Sequence, residues 1–299
     1  MSGIEILRAI QSLHTPLLDQ IMGLITDLHH EYVYVAFLPL VYWFYDKRFG
    51  RYLFAVFALG FWSNEVLKVI FNTARPDPSQ VKVLYPASGP GPAFPSGHSQ
   101  TPLVFWGALA LHIQRRWFTW LAGILVFLIG FSRLYAGLHW PLDVLGGWAL
   151  GLLVLLGLER SRSFWAGEYQ SLAQRLIWAA LIPAAGLGVA ALVSHRGIAP
   201  NVWLVAGVYA GLMTGSTLEE QFVGFDPRRG SPAIQVVKLL VGLALVLAAK
   251  EGLKPLLPDA DWADMLRYAL VALTGTLLAP WLFHRFLARP PIHSRTVRG

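Results

Sequence analysis

The chain reads as an all-α protein, a polytopic helical membrane protein. Three observations predict this. Of its 299 residues, 55% are hydrophobic and 14% charged, where a soluble domain carries roughly 25% charged residues. Mean hydropathy is +0.51, and 12 residues are Trp. Apolar runs long enough to cross a bilayer recur along the sequence. The expected architecture is a bundle of about five to six helices followed by about four additional C-terminal transmembrane helices, one per apolar run of spanning length.

Residues 1–29 are expected to form an interfacial or re-entrant helix. Ile6, Ile10, Leu13, Leu17 and Ile21 recur at helical spacing, yet Glu5, Arg8, Gln11, His14 and Asp19 load the segment with polar groups. A break is expected near Pro16. His29 and His30 follow. They could belong to a metal site, but read better as exposed interfacial histidines.

Residues 30–158 hold five expected spans, at 32–45, 51–73, 98–112, 117–132 and 140–158. Asp46, Lys47 and Arg48 close the first. The second carries Asn64, Glu65 and Lys68 late in its length, with Glu65 placed to pair with Lys68. Residues 76–94 are rich in Pro and Gly and read as a loop. Pro141 falls in the first turn of the fifth span, where a missing N–H does little harm. A polar connector at 159–175 leads to residues 176–286, with spans at 176–193, 202–217, 234–249 and 266–286. Glu219, Glu220 and Asp226 read as a solvated loop. Lys250, Lys254, His195 and Arg196 are placed at the outer surface, and the tail at 287–299 is basic and frayed.

Charge fixes an expected orientation. The net charge is +7. In a soluble protein that would suggest nucleic acid. Here Lys47, Arg48, Arg51, Arg115, Arg116, Arg160, Arg162 and Arg175 all fall at one end of the spans, and alternation adds Arg228, Arg229, Lys238, Arg285, Arg289, Arg295 and Arg298. Basic loops stay on the cytoplasmic side, so the partner is the lipid bilayer and no nucleic acid is expected. The chain has no cysteine, which excludes disulfides and thiolate metal sites. No cleavable signal is expected, because the first residues lack a basic stretch and a small-residue cleavage site.

Three polar clusters stand at the opposite ends of those spans. The first is Lys68, then Arg75 seven residues on, then Pro76. An ammonium late in a hydrophobic helix is costly unless it snorkels or faces a polar partner. If the helix continues to Pro76, Lys68 and Arg75 lie two turns apart on one face. The second cluster is Pro95-Ser96-Gly97-His98, ahead of an apolar run. Helix N–H groups there would face an anion, and Gly97 admits close approach. Ser96 equally suits an N-cap, and His98 could protonate a leaving oxygen. The third is Ser132-Arg133, then His139 and Asp143. His139 and Asp143, four apart, share a face if a helix begins near Trp140. The carboxylate would fix one ring nitrogen and leave the other as a nucleophile. A structural pair holding a helix start is the bland alternative. Arg133 could fork two phosphate oxygens.

In this order the clusters resemble the type 2 phosphatidic acid phosphatase family, whose superfamily includes glucose-6-phosphatase and the vanadium haloperoxidases. Its pattern of K-x6-R-P, P-S-G-H and S-R-x5-H-x3-D stands unbroken here within residues 30–158. The resemblance does not reach past Glu159. It implies that His139 is the catalytic nucleophile, forming a phosphohistidine, that Asp143 orients it, and that His98 protonates the leaving group and then activates water. It implies that Lys68, Arg75 and Arg133, with Ser96 and the Gly97 N–H, hold the phosphoryl oxygens, so that no metal and no other cofactor is needed.

The expected function is therefore an integral-membrane lipid phosphate or pyrophosphate phosphatase. Polyprenyl diphosphate, phosphatidic acid and phosphatidylglycerol phosphate are the candidate substrates. The expected location is a bacterial inner (plasma) membrane, with the site on the extracytoplasmic face. A lipid phosphotransferase using the same phosphohistidine, or a lipid or anion transporter with a phosphate site, are the alternatives. The added spans could also serve as a dimer surface, giving a homo-oligomer, or as a lipid-flipping module.

Overall fold

The computed structural model describes residues 2–86, 91–194 and 197–287, and among these every regular element is helical. His195, Arg196 and the basic tail from Arg289 lie outside the described residues. The N-terminal segment forms two helices, α1 (Gly3–Gln11) and α2 (Pro16–Asp27). Ser2 caps the first, and the Glu5 carboxylate accepts from the Ser2 N–H at 2.8 Å. Thr15 caps the second, with Pro16 at its first position. The break near Pro16 is thus a helix start.

α3 (Glu31–Leu40) contains Pro39 and widens into a π turn at Val41–Tyr45. α4 (Lys47–Phe71) opens on the Asp46 carboxylate, which accepts from the N–H groups of Arg48 and Phe49 at 2.8 and 3.1 Å. It closes at Asn72, in the left-handed conformation with φ 43°. This corrects one expectation. The helix ends before Pro76, so Arg75 stands on the following loop and not two turns beyond Lys68 on one helix.

α5 (Gly97–Ile113), α6 (Arg116–Tyr135) and α7 (Pro141–Arg160) follow. A short α8 (Arg162–Trp165) lies within the connector. α9 (Leu172–Val193), α10 (Pro200–Phe222) and α11 (Pro232–Leu253) come next. α12 (Asp261–Leu273) runs through π turns at Thr274–Leu278 and Phe283–Leu287, which flank α13 (Ala279–Leu282).

Among the described residues, 6 helices are long and apolar enough to cross a membrane: α4, α6, α7, α9, α11 and the α12–α13 unit. The chain is an integral membrane protein. Of the other expected spans, α5 and α10 lie further inside the bundle. α5 has 17 residues and buries Ser99, Gln100 and Thr101; α10 buries Ser216, Thr217 and Glu219. Outward faces carry exposed Trp120, Ile124, Leu153, Leu181, Leu192 and Leu240, as a hydrocarbon solvent requires.

Two glycine stripes set the helix spacing. On α7, a Cβ at Gly147 would lie 2.6 Å from the Ser96 carbonyl oxygen, and one at Gly151 3.0 Å from that of Gln100. On α10, Cβ atoms at Gly207 and Gly211 would collide with the backbone carbonyls of Met265 and Ala269 on α12. Small residues four apart let helices meet backbone to backbone in a bilayer. The first stripe presses the start of α5 onto α7. The second joins α10 to α12.

The two halves share a core, in which Trp62 of α4 packs against Tyr209 of α10 with ring centroids 5.7 Å apart. They also share a buried ionic cluster at the basic end, which corrects the solvated-loop reading of Glu219 and Glu220. Glu219 is 0% exposed and takes two contacts of 2.9 Å from Lys47 Nζ, one of 3.0 Å from the Tyr42 hydroxyl and one of 2.6 Å from the Phe225 N–H. Glu220 accepts from both Arg51 and Arg175 at 2.5 Å. α10 is longer than its apolar run suggests, because buried Glu219 finds Lys47 of α4 and half-buried Glu220 finds Arg51 of α4 and Arg175 of α9.

Candidate active site

Four helix ends meet at the end of the bundle opposite the ionic cluster. They are the C-termini of α4 and α6 and the N-termini of α5 and α7. The loop after α4 is tied down by backbone contacts. The Ala93 N–H donates to the Thr73 carbonyl at 2.9 Å, and the Phe94 N–H to Thr73 Oγ1 at 2.8 Å. The Trp140 indole N–H reaches the Ala74 carbonyl at 3.0 Å.

That loop delivers Arg75. Its guanidinium donates to the carbonyls of Gly91, Pro92 and Leu138 at 2.9, 3.3 and 2.7 Å. Its Nη1 also lies 3.0 Å from His139 Nε2. Arginine has no acceptor, so Nε2 must accept and the ring proton belongs on Nδ1. Nδ1 faces Asp143 Oδ2 at 3.4 Å. This separation is longer than a full hydrogen bond, and catalytic contacts of this kind often tighten when substrate arrives. The same Asp143 oxygen accepts from the Trp140 N–H at 2.7 Å, capping α7. Asp143 therefore caps the helix start and lies beside the imidazole without a hydrogen bond to it among the described residues.

His139 is 2% exposed. Burial, then the cations Arg75, Arg133 and Lys68, hold its pKa well below the usual imidazole range. The ring is neutral near pH 7, with an Nε2 lone pair.

Ser96 precedes α5, but its hydroxyl caps nothing. The oxygen is buried and has no hydrogen-bond partner among the described residues. Its N–H instead donates to the Asp143 carbonyl at 3.0 Å. The capping alternative for Ser96 is thus not realised by its side chain. Gly97 permits a close fit: a Cβ there would stand 3.1 Å from Asn64 Oδ1 and 3.9 Å from Lys68 Nζ. Lys68 Nζ lies 3.5 Å from Glu65, as the helical spacing suggests.

His98 occupies the first turn of α5. Lys68 and Arg133 are charged neighbours of both His98 and His139. Pro102 removes the N–H that would otherwise bond the His98 carbonyl. Arg133 is fully buried, and its Nη1 donates to Thr26 Oγ1 of α2 at 2.8 Å. The structure thus brings Lys68, Arg75, Ser96, Gly97, His98, Arg133, His139 and Asp143 to one end of the bundle.

Sequence reasoning missed several neighbours. His29, read as an exposed interfacial histidine, packs on His98 with ring centroids 4.2 Å apart. Its Nδ1 lies 2.9 Å from the Tyr34 hydroxyl. Thr26 had no signal at all. Asn64 was visible as a polar residue in an apolar helix, one turn before Lys68; its amide donates to the Pro95 carbonyl at 3.3 Å and to Gln100 Oε1 at 2.9 Å. It steadies the turn that carries Ser96.

Residues 48–166 match the PAP2 superfamily, and residues 203–290 match the PAP2 superfamily phosphatase transmembrane extension. An undecaprenyl-diphosphatase BcrC of Bacillus subtilis is 30% identical over 157 residues, which span 50% of this chain and 79% of the relative. The chain belongs to the PAP2 superfamily.

Other PAP2 relatives agree. An undecaprenyl-diphosphatase of Sulfolobus acidocaldarius is 29% identical over 155 residues, 50% of this chain and 73% of the relative. Phosphatidylglycerophosphatase B of Bacillus subtilis is 29% identical over 160 residues, 49% of this chain and 76% of the relative. No solved structure matches the chain significantly. As a PAP2 protein the chain is a phosphatase, a hydrolase of phosphate esters or diphosphates. Its second half, which the motif resemblance left without a role, matches a PAP2-associated extension.

Proposed function

We propose that the protein hydrolyses a lipid phosphate or lipid diphosphate at the extracytoplasmic face of a bacterial inner membrane, through a phosphohistidine on His139. The observation that carries this reading is the pair of contacts on one imidazole, Asp143 facing Nδ1 and Arg75 at Nε2. They supply a neutral nucleophile whose lone pair accepts from a cation.

Nε2 of His139 attacks phosphorus in line. The P–O bond to the leaving oxygen breaks, and His98, which enters the step as the imidazolium beside the anionic substrate, gives that oxygen its proton. Nδ1–H remains on the ring and is stabilised by the Asp143 carboxylate. Water then attacks the phosphohistidine, the P–N bond breaks, and His98 takes back a proton. Arg75, Lys68 and Arg133 carry the charge that spreads over the phosphoryl oxygens. The buried Ser96 hydroxyl donates to one of them. Arg75 Nη1 occupies the line along which phosphorus approaches Nε2, so this guanidinium must swing onto a phosphoryl oxygen as substrate binds.

The relatives named above as diphosphatases and as a phosphatidylglycerophosphatase make polyprenyl diphosphate and phosphatidylglycerol phosphate candidate substrates, beside phosphatidic acid. The basic residues clustered at the opposite end of the spans support this face. The test is phosphate release by the purified protein in detergent, with EDTA present, from a panel of lipid mono- and diphosphates. Release from at least one of them, persisting with EDTA, is expected. No release from any would overturn the proposal.

A further inference from the structure

Resting on that reading, we infer that His29 binds the leaving phosphate of a lipid diphosphate and makes the site selective for diphosphates over phosphomonoesters. The carrying observation is the tilted ring contact of His29 with His98, at 4.2 Å between centroids. His98 serves the leaving oxygen, so a ring packed against it borders the leaving group and not the nucleophile. The charged neighbours agree. Arg133 and Lys68 act on both rings, but Arg75, which heads the charges acting on His139, is not among those acting on His29.

The tautomer follows from Tyr34. Its hydroxyl is buried at 1% exposure and meets His29 Nδ1 at 2.9 Å. A buried phenol with this partner donates its proton to the ring. His29 Nδ1 then accepts, and the ring's own proton sits on Nε2. Nε2 makes no hydrogen bond among the described residues, so its N–H is available to a ligand. Burial, then Arg133 and Lys68, push the His29 pKa down to about 3, so the ring offers a neutral donor, not a second cation.

The chemistry selects the ligand class. A phosphomonoester expels an alkoxide with one oxygen, which the His98 proton already serves. A diphosphate expels a phosphate, whose non-bridging oxygens need further donors as the bridging bond breaks. His29 supplies such a donor where a monoester has nothing to receive it. The interaction strengthens in the transition state, so it should act on kcat more than on KM.

The experiment compares kcat/KM for farnesyl diphosphate and dioctanoyl phosphatidic acid on each preparation of the purified full chain in detergent. The ratio of the two is independent of the active fraction, so partial misfolding does not disturb it. We expect His29→Ala to lower the diphosphate-to-monoester ratio at least tenfold, mainly through kcat for the diphosphate. His29→Gln, which keeps a side-chain N–H, should restore most of the ratio. Tyr34→Phe should lower it by a smaller factor by freeing the tautomer. An unchanged ratio in His29→Ala, or equal losses on both substrates with no recovery in His29→Gln, would overturn the inference. So would a wild type that cleaves phosphatidic acid but no diphosphate, although the phosphatase reading would then survive. A wild type that cleaves neither would sink both.

Discussion

Arg75 Nη1 and His139 Nε2 lie 3.0 Å apart, and this one contact fixes the protonation of the imidazole. Because the guanidinium can only donate, Nε2 accepts and Nδ1 carries the proton toward Asp143. Asp143→Asn removes the charge that favours this tautomer. The amide oxygen can still accept from the Trp140 N–H and cap α7. We expect kcat/KM to fall by up to about 10,000-fold, the loss seen when a carboxylate that orients a catalytic histidine becomes an amide, with little change in melting temperature. Activity within tenfold of wild type would contradict the role.

The pH profile tests the cations around His139. Its pKa is depressed, so the neutral form persists below the ordinary imidazole value near 6.5. The acid limb of kcat/KM that belongs to His139 should therefore fall below that value. Arg75→Ala removes the largest of the charged causes, so it raises the His139 pKa and moves the limb to higher pH, beside its loss of rate. The same depression affects stability. The unfolded chain takes up a proton below about 6.5 that the native ring refuses, so stability declines as pH falls through that range. A limb that stays fixed in the arginine variant would show that Arg75 does not act on the imidazole.

Ser96 separates a capping role from a ligand role. A working Ser N-cap contributes about 1 kcal/mol, but this hydroxyl makes no cap bond. Ser96→Ala should leave the melting temperature unchanged and lower kcat/KM about tenfold or more, as loss of an oxyanion donor does. A lower melting temperature with normal turnover would reverse the assignment.

The ionic cluster at the far end predicts a stability effect without a chemical one. Glu219→Ala strands Lys47 among buried groups. Breaking a buried pair on one side costs about 3–5 kcal/mol. Thermal unfolding in detergent should register that loss, while kcat of the folded fraction stays within about twofold, because the cluster touches no group at the phosphate end. The double change Lys47→Ala with Glu219→Ala should recover part of the stability.

Much of this arrangement was legible because membranes punish stray polarity. Lys68, His98, Arg133, His139 and Asp143 stood out against apolar runs, and the spacing of His139 and Asp143 on one helix start gave their contact directly. Arg75 was visible, but its position was not. The left-handed Asn72 stops α4 early, and a lone Asn gives a weak signal against the stronger one of Pro76. Glu219 and Glu220 were misread because a charged pair at the end of an apolar run normally means water, and the paired Lys47, Arg51 and Arg175 lie far off in sequence. His29 was missed for the same reason: it lies in the turn after α2, its partner His98 comes from distant α5, and nothing local distinguishes a packed ring from an exposed one. Gly207, Gly211 and Gly215 recur every four residues but went unread, because nothing in the sequence says which helix such a stripe faces.

The most direct test of the account is to trap the covalent intermediate. The purified protein is mixed with lipid diphosphate labelled at the terminal phosphate, quenched within one turnover, and digested for mass spectrometry. The account predicts an acid-labile, base-stable phosphoryl group on His139, absent in His139→Ala, whose phosphate release falls by at least about a thousandfold as for other lost nucleophiles. Label on another residue, or undiminished release by His139→Ala, would contradict it.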